Sequence, residues 1–195
     1  MIKNLKTLAL ALVTMAITVA ASAQDLSSQR GESQNYDGLF GEKIDHKGIV
    51  INPTPQHIEI LDGAGATISR GIALKGEAQT FAEELSFLKQ SKKGTKLTIA
   101  YDKKSDMKRG SYTLRIDSKG IAITATEELG AFYAIQTLRQ IAKSPASAEG
   151  ILPALTISDY PDLEYRGVVE GFYGTPWSHE VRLSLIDTYG RYKMN

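Results

Sequence analysis

The segment from Tyr112 to Ile123 constrains the fold of this chain more than any other. Apolar residues alternate with polar ones from Tyr112 to Ile116, and again at Ile121 and Ile123. Between the two runs stands Asp117-Ser-Lys-Gly120, a sequence typical of a tight turn. The pattern predicts a β-hairpin with one apolar face, and a hairpin of this kind needs further strands or a helix to cover it.

Two other segments carry the apolar period of a helix. The first, Ala78 to Gln90, predicts an amphipathic helix through three apolar residues at helical spacing, Phe81, Leu85 and Leu88. The second begins at Thr126, where Glu127 and Glu128 suit the positive end of a helix dipole. Its predicted buried stripe consists of Leu129, Phe132, Tyr133, Ile135 and Leu138. This helix is expected to pack on the sheet.

Shorter runs rich in β-branched residues predict the remaining strands. They lie at Gly48 to Asn52, at Ile58 to Leu61, at Lys96 to Tyr101 and at Leu152 to Ile157. Two prolines between the first two runs favour an edge position. The order strand, helix, strand, strand, helix, strand predicts an α/β fold over residues 48–160, an α+β domain with helices on one face of a mixed sheet.

The chain begins with the pattern of a signal peptide, residues 1–23. Two lysines precede an apolar run from Leu8 to Ala20, which is too short to remain as a membrane span. Ala21-Ser-Ala23 then supplies the small residues of a cleavage site. We expect cleavage before Gln24 and a periplasmic or secreted product with no membrane attachment. A buried N-terminal core helix is the alternative interpretation.

Residues 24–47 are polar, show neither a period of two nor one of 3.6, and are expected to form a flexible lead. Lysine and arginine number 23 against 22 aspartates and glutamates, a net charge of +1. This balance does not indicate nucleic acid or a membrane surface as a partner. No cysteine is present, which excludes disulfides and a lipid-modified cysteine. Composition does not define an oligomeric state.

A second unit is predicted over residues 161–195. Leu163 to Glu170 has the composition of a strand, and a helix capped near Thr175-Pro176 or at Ser178 follows it. The apolar positions of that helix are Val181, Leu185, Ile186 and Tyr189. A single βα unit cannot bury both faces of its strand. We therefore expect these residues to be the first unit of a truncated (β/α)8 barrel.

Several glycines and aromatic residues lie at the carboxyl end of the predicted barrel strand. In parallel α/β barrels this is the end at which ligands bind. Gly171 and Gly174 permit close approach of the backbone, while Phe172, Tyr173 and Trp177 offer apolar walls for a sugar ring. The alternative is a tight turn with core aromatics.

Other chemistry-bearing residues are assigned no catalytic or metal-binding role. Glu170 is interpreted as a structural acid at the strand end. The pairs Glu83-Glu84 and Glu127-Glu128 lie on predicted helices, where adjacent side chains diverge by about 100° and cannot converge on one bond. The histidines are too far apart to predict a metal site: His46, His57 and His179. No cofactor is expected.

The segment Asp159 to Ser178, DYPDLEYRGVVEGFYGTPWS, closely resembles the first barrel strand of glycoside hydrolase family 84. This family contains the bacterial relatives of O-GlcNAcase and the hyaluronidase-like β-N-acetylglucosaminidases. Glu127 to Leu138 is similar to a helix of the small α/β domain that precedes the barrel in families 84 and 20. Only the block Arg166 to Trp177 is highly specific. Family 20 is the competing assignment, although its usual first strand has Arg-Gly followed by Leu-Asp and an Arg, which this chain lacks.

The resemblance implies a retaining β-N-acetylglucosaminidase whose substrate supplies its own nucleophile, the 2-acetamido oxygen, to give an oxazoline. Its partner would be a glycan or glycoprotein that contains N-acetylglucosamine. In the family an adjacent Asp-Asp pair polarises the acetamido group and protonates the leaving oxygen. No such pair occurs in this chain, so no catalytic residue is assigned and the chain alone is expected to be inactive.

The resemblance implies two substrate-binding residues, Gly171 through its carbonyl and Tyr173 beside the pocket. A different class of function, a non-catalytic carbohydrate-binding or scaffolding module over residues 48–160, is kept as the alternative. Exposed aromatic residues on one face of the sheet would favour that alternative.

Overall fold

The computed structural model describes residues 48–102, 107–171 and 173–195. The predicted signal peptide and polar lead, residues 1–23 and 24–47, lie outside the described residues, as does Phe172. Within the described ranges, no helix combines the length and the hydropathy needed to cross a bilayer.

The described residues form one six-stranded mixed sheet and one two-stranded antiparallel sheet. The larger sheet has the strand order β1-β8-β5-β6-β4-β3, and β2 pairs with β7. β4 runs parallel to β3 and β6, while the other neighbours in the large sheet are antiparallel. The strands are β1 (His57–Ile60), β2 (Ala66–Thr67), β3 (Ile72–Gly76), β4 (Thr95–Tyr101), β5 (Tyr112–Asp117), β6 (Gly120–Ala125), β7 (Ile151–Leu152) and β8 (Leu155–Asp159). The predicted mixed sheet is confirmed.

The predicted hairpin is strands β5 and β6, with Asp117 opposite Gly120 at the turn. Gly120 has a φ of 137°, and a Cβ there would stand 2.4 Å from the Lys96 carbonyl oxygen of β4, so only glycine fits. Alternate residues of the central strands face the core, as the period of two requires. The buried members are Leu97, Ile99, Leu114, Ile116, Ile121, Ile123, Leu155 and Ile157.

Helix α1 (Glu128–Lys143) packs on β5 and β6, and its stripe is largely the predicted one. Tyr133, Ile135 and Leu138 are buried, whereas Leu129 and Phe132 are only partly buried. Glu127 is the N-cap residue rather than a member of the first turn, because its backbone is extended. Its Oε1 accepts a hydrogen bond from the Gly110 amide at 3.2 Å.

Residues 78–90 do not form the predicted α-helix. A 3₁₀ turn, Glu77–Gln79, leads into successive turns whose hydrogen bonds mix two spacings, Leu85 N–H to Phe81 O and Leu88 N–H to Leu85 O. Phe81, Leu85 and Leu88 are nevertheless buried, as predicted. A helix this short gains little from propensity, so packing decides its form, and turns bring the same three side chains to the core.

These turns lie on the same side of the sheet as α1. The Arg139 guanidinium of α1 donates a hydrogen bond to the Glu84 carbonyl at 2.8 Å and stacks over the Phe87 ring at 4.6 Å. The prediction of helical segments on one face of the sheet therefore holds for α1, with turns in place of a second helix.

Two predicted strands differ in the structure. Residues 48–52 form no strand, because the Asn52 amide and carbonyl bond to the Gln140 side chain at 2.7 and 2.9 Å instead of to a neighbouring strand. The run 152–157 is divided at Pro153, which has no N–H to donate, into β7 and β8. The predicted edge position is confirmed, since β1 pairs only with β8.

Residues 161–178 form no strand in the described chain, so the strand predicted over Leu163 to Glu170 is absent. Among the described residues, the backbone-to-backbone hydrogen bond of this segment is the one that the Arg166 carbonyl accepts from the Asn195 amide at 2.9 Å. A strand requires a series of such bonds to a neighbouring strand. Helix α2 (His179–Arg191) forms as predicted, with Ser178 as N-cap. None of its residues is buried. Of its predicted apolar stripe, Val181 and Ile186 are exposed, and Leu185 and Tyr189 are half-buried.

Candidate functional site

The two predicted sugar-binding residues lie side by side on an open loop. A Cβ on Gly171 would come within 2.9 Å of the Tyr173 ring, and the Tyr173 side chain is fully exposed. Next to them is a hollow of about 160 Å³ whose lining includes Gly171, Gly174 and Trp177. The loop therefore offers a main-chain carbonyl and aromatic faces to a ligand, which is the chemistry a sugar ring requires.

Glu170, at the base of this loop, is held by a basic side chain. Its Oε1 accepts from the Arg182 guanidinium of α2 at 3.0 and 3.3 Å. This pairing agrees with the interpretation of Glu170 as a structural acid, because the carboxylate already serves to join the loop to the helix.

The other acidic pairs belong to the sheet domain, whereas His179 is the first residue of α2 and follows the loop closely in the chain. Glu127 forms an ion pair with Arg109 at 3.5 Å. Within the described residues no group of three or more His, Cys, Asp or Glu side chains is placed to hold a metal ion. His46 lies outside the described ranges.

Sequence reasoning missed a buried polar network around Lys193. The Lys193 ammonium, only 4% exposed, donates to Asp159 Oδ2 at 2.8 Å and to the Tyr112 hydroxyl at 3.0 Å. The Tyr112 hydroxyl in turn donates to Asp159 Oδ2 at 2.8 Å and lies 2.6 Å from Thr137 Oγ1. Asp159 Oδ1 accepts from the Gln56 amide at 3.2 Å, so both carboxylate oxygens are satisfied.

Burial sets the proton affinities of this network. Desolvation raises the pKa of Tyr112 well above its ordinary value, and the nearby Asp159 charge raises it further. Desolvation lowers the pKa of Lys193, and the Asp159 carboxylate opposes that change. No sequence signal marked Lys193 as buried, because lysine is almost never buried without a partner and the partner is 34 positions away.

Arg166 joins this network to the start of the second unit. Its guanidinium donates to the Lys193 carbonyl through Nε at 3.0 Å and Nη2 at 2.7 Å. Nη2 also donates to the Tyr133 hydroxyl of α1 at 2.7 Å, and Nη1 donates to the Leu163 carbonyl. The Arg166 amide donates to Asn195 Oδ1 at 2.9 Å. One side chain thus connects residues 163–166, residues 193–195 and the sheet domain.

The family of the larger part of the chain is shown by comparison with known proteins. A family profile described as glycosyl hydrolase family 20, domain 2, matches residues 49–160, and one described as beta-N-acetylglucosaminidase matches residues 166–195. The first match covers more than half of the chain. The chain therefore belongs to the glycosyl hydrolase family 20, domain 2, family.

Curated relatives agree with this family. The chain is 32% identical to an N,N'-diacetylchitobiase of Vibrio harveyi over 73% of its own length and 17% of the relative's. It is 29% identical to a beta-hexosaminidase of Vibrio vulnificus over 74% of its length and 18% of that protein's. The chain thus spans less than a fifth of the length of these two relatives.

Solved structures show the same fold. The structure of CpGH84B matches with a TM-score of 0.58 and 32% identity, covering 75% of this chain and 29% of that one. The family 20 exo β-N-acetylglucosaminidase of Vibrio harveyi, solved as an inactive mutant, matches with a TM-score of 0.61 over 80% of this chain and 26% of its own. At 24% identity the second likeness shows the fold alone.

These findings correct part of the family assignment. The small α/β domain of the family 20 type is confirmed, and family 20 was the competing assignment. Membership of the whole chain in family 84 is not shown, since that assignment depended on the short block Arg166 to Trp177 whereas the family 20 match extends over residues 49–160.

Proposed function

We propose that this chain supplies the accessory α/β domain and the first βα unit of a β-N-acetylhexosaminidase, an enzyme that removes terminal β-linked N-acetylglucosamine. The observation that carries the proposal is the order of the two family matches, domain 2 over residues 49–160 followed by beta-N-acetylglucosaminidase over residues 166–195. The relatives named chitobiase and beta-hexosaminidase support the same substrate class.

Family 20 is the better supported origin of the complete enzyme, through the domain 2 match and the curated relatives. A barrel of the family 84 type is the finer proposal. It is supported by the block Arg166 to Trp177 and by the 32% identity to CpGH84B, whose name carries the designation of that family. An Asp-Asp pair after a later barrel strand would favour family 84.

The proposed mechanism is retaining and substrate-assisted. The exposed Gly171 carbonyl would accept from a sugar hydroxyl, while Tyr173 and Trp177 would border the ring. The acid that protonates the leaving oxygen and the carboxylate that polarises the acetamido group are assigned to no residue of this chain.

Turnover of an aryl β-N-acetylglucosaminide tests the proposal. A protein in which a complete barrel follows Asn195 is expected to hydrolyse it, and the 195-residue chain alone is not. Tyr173→Ala in the longer protein is expected to raise KM, and Val50→Ala, which shortens another largely exposed side chain, is the control. Turnover by the chain alone would overturn the placement of the catalytic acids.

The alternative of a free-standing carbohydrate-binding module gains little support from the sheet. The outward positions of its central strands carry Lys96, Thr98, Arg115, Ala122 and Thr124, none of them aromatic. Calorimetric titration of the chain with N-acetylglucosamine oligomers separates the two proposals, since only a binding module would give heat of binding.

We also propose export to the periplasm or medium. N-terminal sequencing of the mature protein tests this proposal, and Gln24 is expected as the first residue.

A further inference from the structure

The burial of Lys193 carries a cost in free energy, because the ammonium loses its hydration. Lysine is rarely buried unless paired, and Lys193 also has a φ of 60°, a left-handed conformation that side chains other than glycine seldom adopt. Among the described residues it is the one non-glycine position with a positive φ. Strained conformations of this kind persist where the surrounding contacts hold them, and they gather at functional positions.

The side chain and the main-chain carbonyl of Lys193 bind different parts of the chain. The side chain enters the accessory domain, where Asp159 of β8 and Tyr112 of β5 bind the ammonium at 2.8 and 3.0 Å. The main-chain carbonyl accepts both Arg166 bonds, at 3.0 and 2.7 Å. The planar guanidinium fork fixes the direction of Arg166 as well as its distance.

Arg166 begins the short segment that ends in the sugar-binding loop. Gly171 follows five residues later, and Glu170 beside it is held by Arg182 of α2 at 3.0 Å. The segment 166–170 is therefore pinned at its first residue by the accessory domain and at its last by the following helix.

We propose that Asp159, Lys193 and Tyr112 form a positioning lock, through which the accessory domain sets the place of Arg166 and hence of Gly171 and Tyr173. The lock assigns to the accessory domain a role in substrate binding that it performs without touching the sugar. This inference rests on the proposed function, because it takes the loop to be part of the sugar site.

Single and double substitutions in the protein with a complete barrel test the lock. Lys193→Met keeps most of the length of the side chain but removes its charge, and Asp159→Asn removes the negative charge that faces the ammonium. The matched control is Arg191→Met, which removes an exposed ion pair with Asp187 two residues from the lock. Amide hydrogen exchange over residues 164–171 and the steady-state constants for an aryl β-N-acetylglucosaminide are measured for each.

The lock predicts that Lys193→Met speeds exchange in 164–171 by at least about tenfold and raises KM by about tenfold, with a smaller change in kcat. The double variant is expected to lose less than the two single variants together, since coupled charges are not additive. Arg191→Met is expected to match the wild type in both measurements.

Several results would overturn the lock. A lower melting temperature with unchanged exchange in 164–171, or faster exchange with unchanged KM, would show that the pair only stabilises the fold. If the wild type shows no turnover, the proposed function fails, and exchange alone then decides whether the lock exists. Should Lys193→Met not fold, Tyr112→Phe takes its place, because it keeps both charges and removes one hydroxyl from the network.

Discussion

Replacing Gly130 with alanine is expected to destabilise the protein, although the same change stabilises most helices. Gly130 lies in the first turn of α1. A Cβ at this position would stand 2.4 Å from the Ser111 carbonyl oxygen and 3.2 Å from the Ala125 Cβ. The helix therefore approaches the start of β5 so closely that only glycine fits.

Two opposing effects set the size of the change. Alanine gains about 0.8–1.0 kcal/mol over glycine in a helix interior. Against this, the added methyl group must displace either the Ser111 backbone or the helix, and overpacking of this kind costs about 1–3 kcal/mol. The Ser111 carbonyl also accepts the Thr126 amide at 3.2 Å, so moving it weakens a second contact. Together these effects predict a net loss of up to about 2 kcal/mol in the free energy of unfolding.

Urea unfolding of the chain measures this loss as a lower midpoint at an unchanged slope. Gly190→Ala in α2 is the matched control, since a Cβ there meets the Phe132 ring at an ordinary 3.6 Å. That variant is expected to be neutral or more stable by up to about 1 kcal/mol. A Gly130→Ala protein as stable as the control would refute the argument from close approach.

Three further outcomes are expected. In the folded protein Tyr112 keeps its proton above pH 10, because burial raises its pKa. The unfolded chain loses that proton near the ordinary value of 10.0. The free energy of unfolding is therefore expected to fall above this pH by about 1.4 kcal/mol per pH unit. Denaturant melts of Tyr112→Phe should show a shallower alkaline decline, and an equal slope would contradict the assignment. Leu114→Ala, at a fully buried site, should lower the free energy of unfolding in urea by about 2–5 kcal/mol. The neighbouring Thr113→Ala should lower it by less than about 1 kcal/mol. Equal losses would show that the wrong face of the strand has been assigned to the core. Gly171→Ala should change the free energy of unfolding by less than about 0.5 kcal/mol, because the exposed Tyr173 ring can move aside. In the protein with a complete barrel the same change should raise KM. An unchanged KM would remove Gly171 from the site.

Local patterns predicted the elements whose partners are close in sequence. The hairpin β5–β6 and helix α1 each bury a face that their own period defines, so alternation and helical spacing were sufficient. Residues 78–90 show the limit of that reasoning. The spacing of Phe81, Leu85 and Leu88 predicted burial correctly but not the backbone, because turns and a helix place the same side chains on the core.

Elements that depend on distant partners were predicted less well. The Asn52 backbone is occupied by Gln140, 88 positions away, and no local pattern shows this. Leu163 to Glu170 has the composition of a strand, but in the described chain its backbone meets a partner only near Asn195. The composition of a segment indicates that it can form a strand, but the strand forms only where a neighbouring strand supplies hydrogen-bond partners.

The candidate site divides in the same way. Gly171 and Tyr173 were predicted from glycine and aromatic residues at a predicted strand end and from the family resemblance, and their binding role stays a prediction. The network of Asp159, Lys193 and Tyr112 was missed because its members are far apart in the chain and each is common in isolation. Only the fold brings them to within 3.0 Å.

We propose that the complete enzyme acts on a 2-acetamido sugar that supplies its own nucleophile. The most direct test compares two aryl β-glycosides that differ only at carbon 2, the N-acetylglucosaminide and the glucoside, with the protein that carries a complete barrel. Rapid hydrolysis of the acetamido substrate and none of the glucoside is the predicted result. Comparable hydrolysis of both would contradict it.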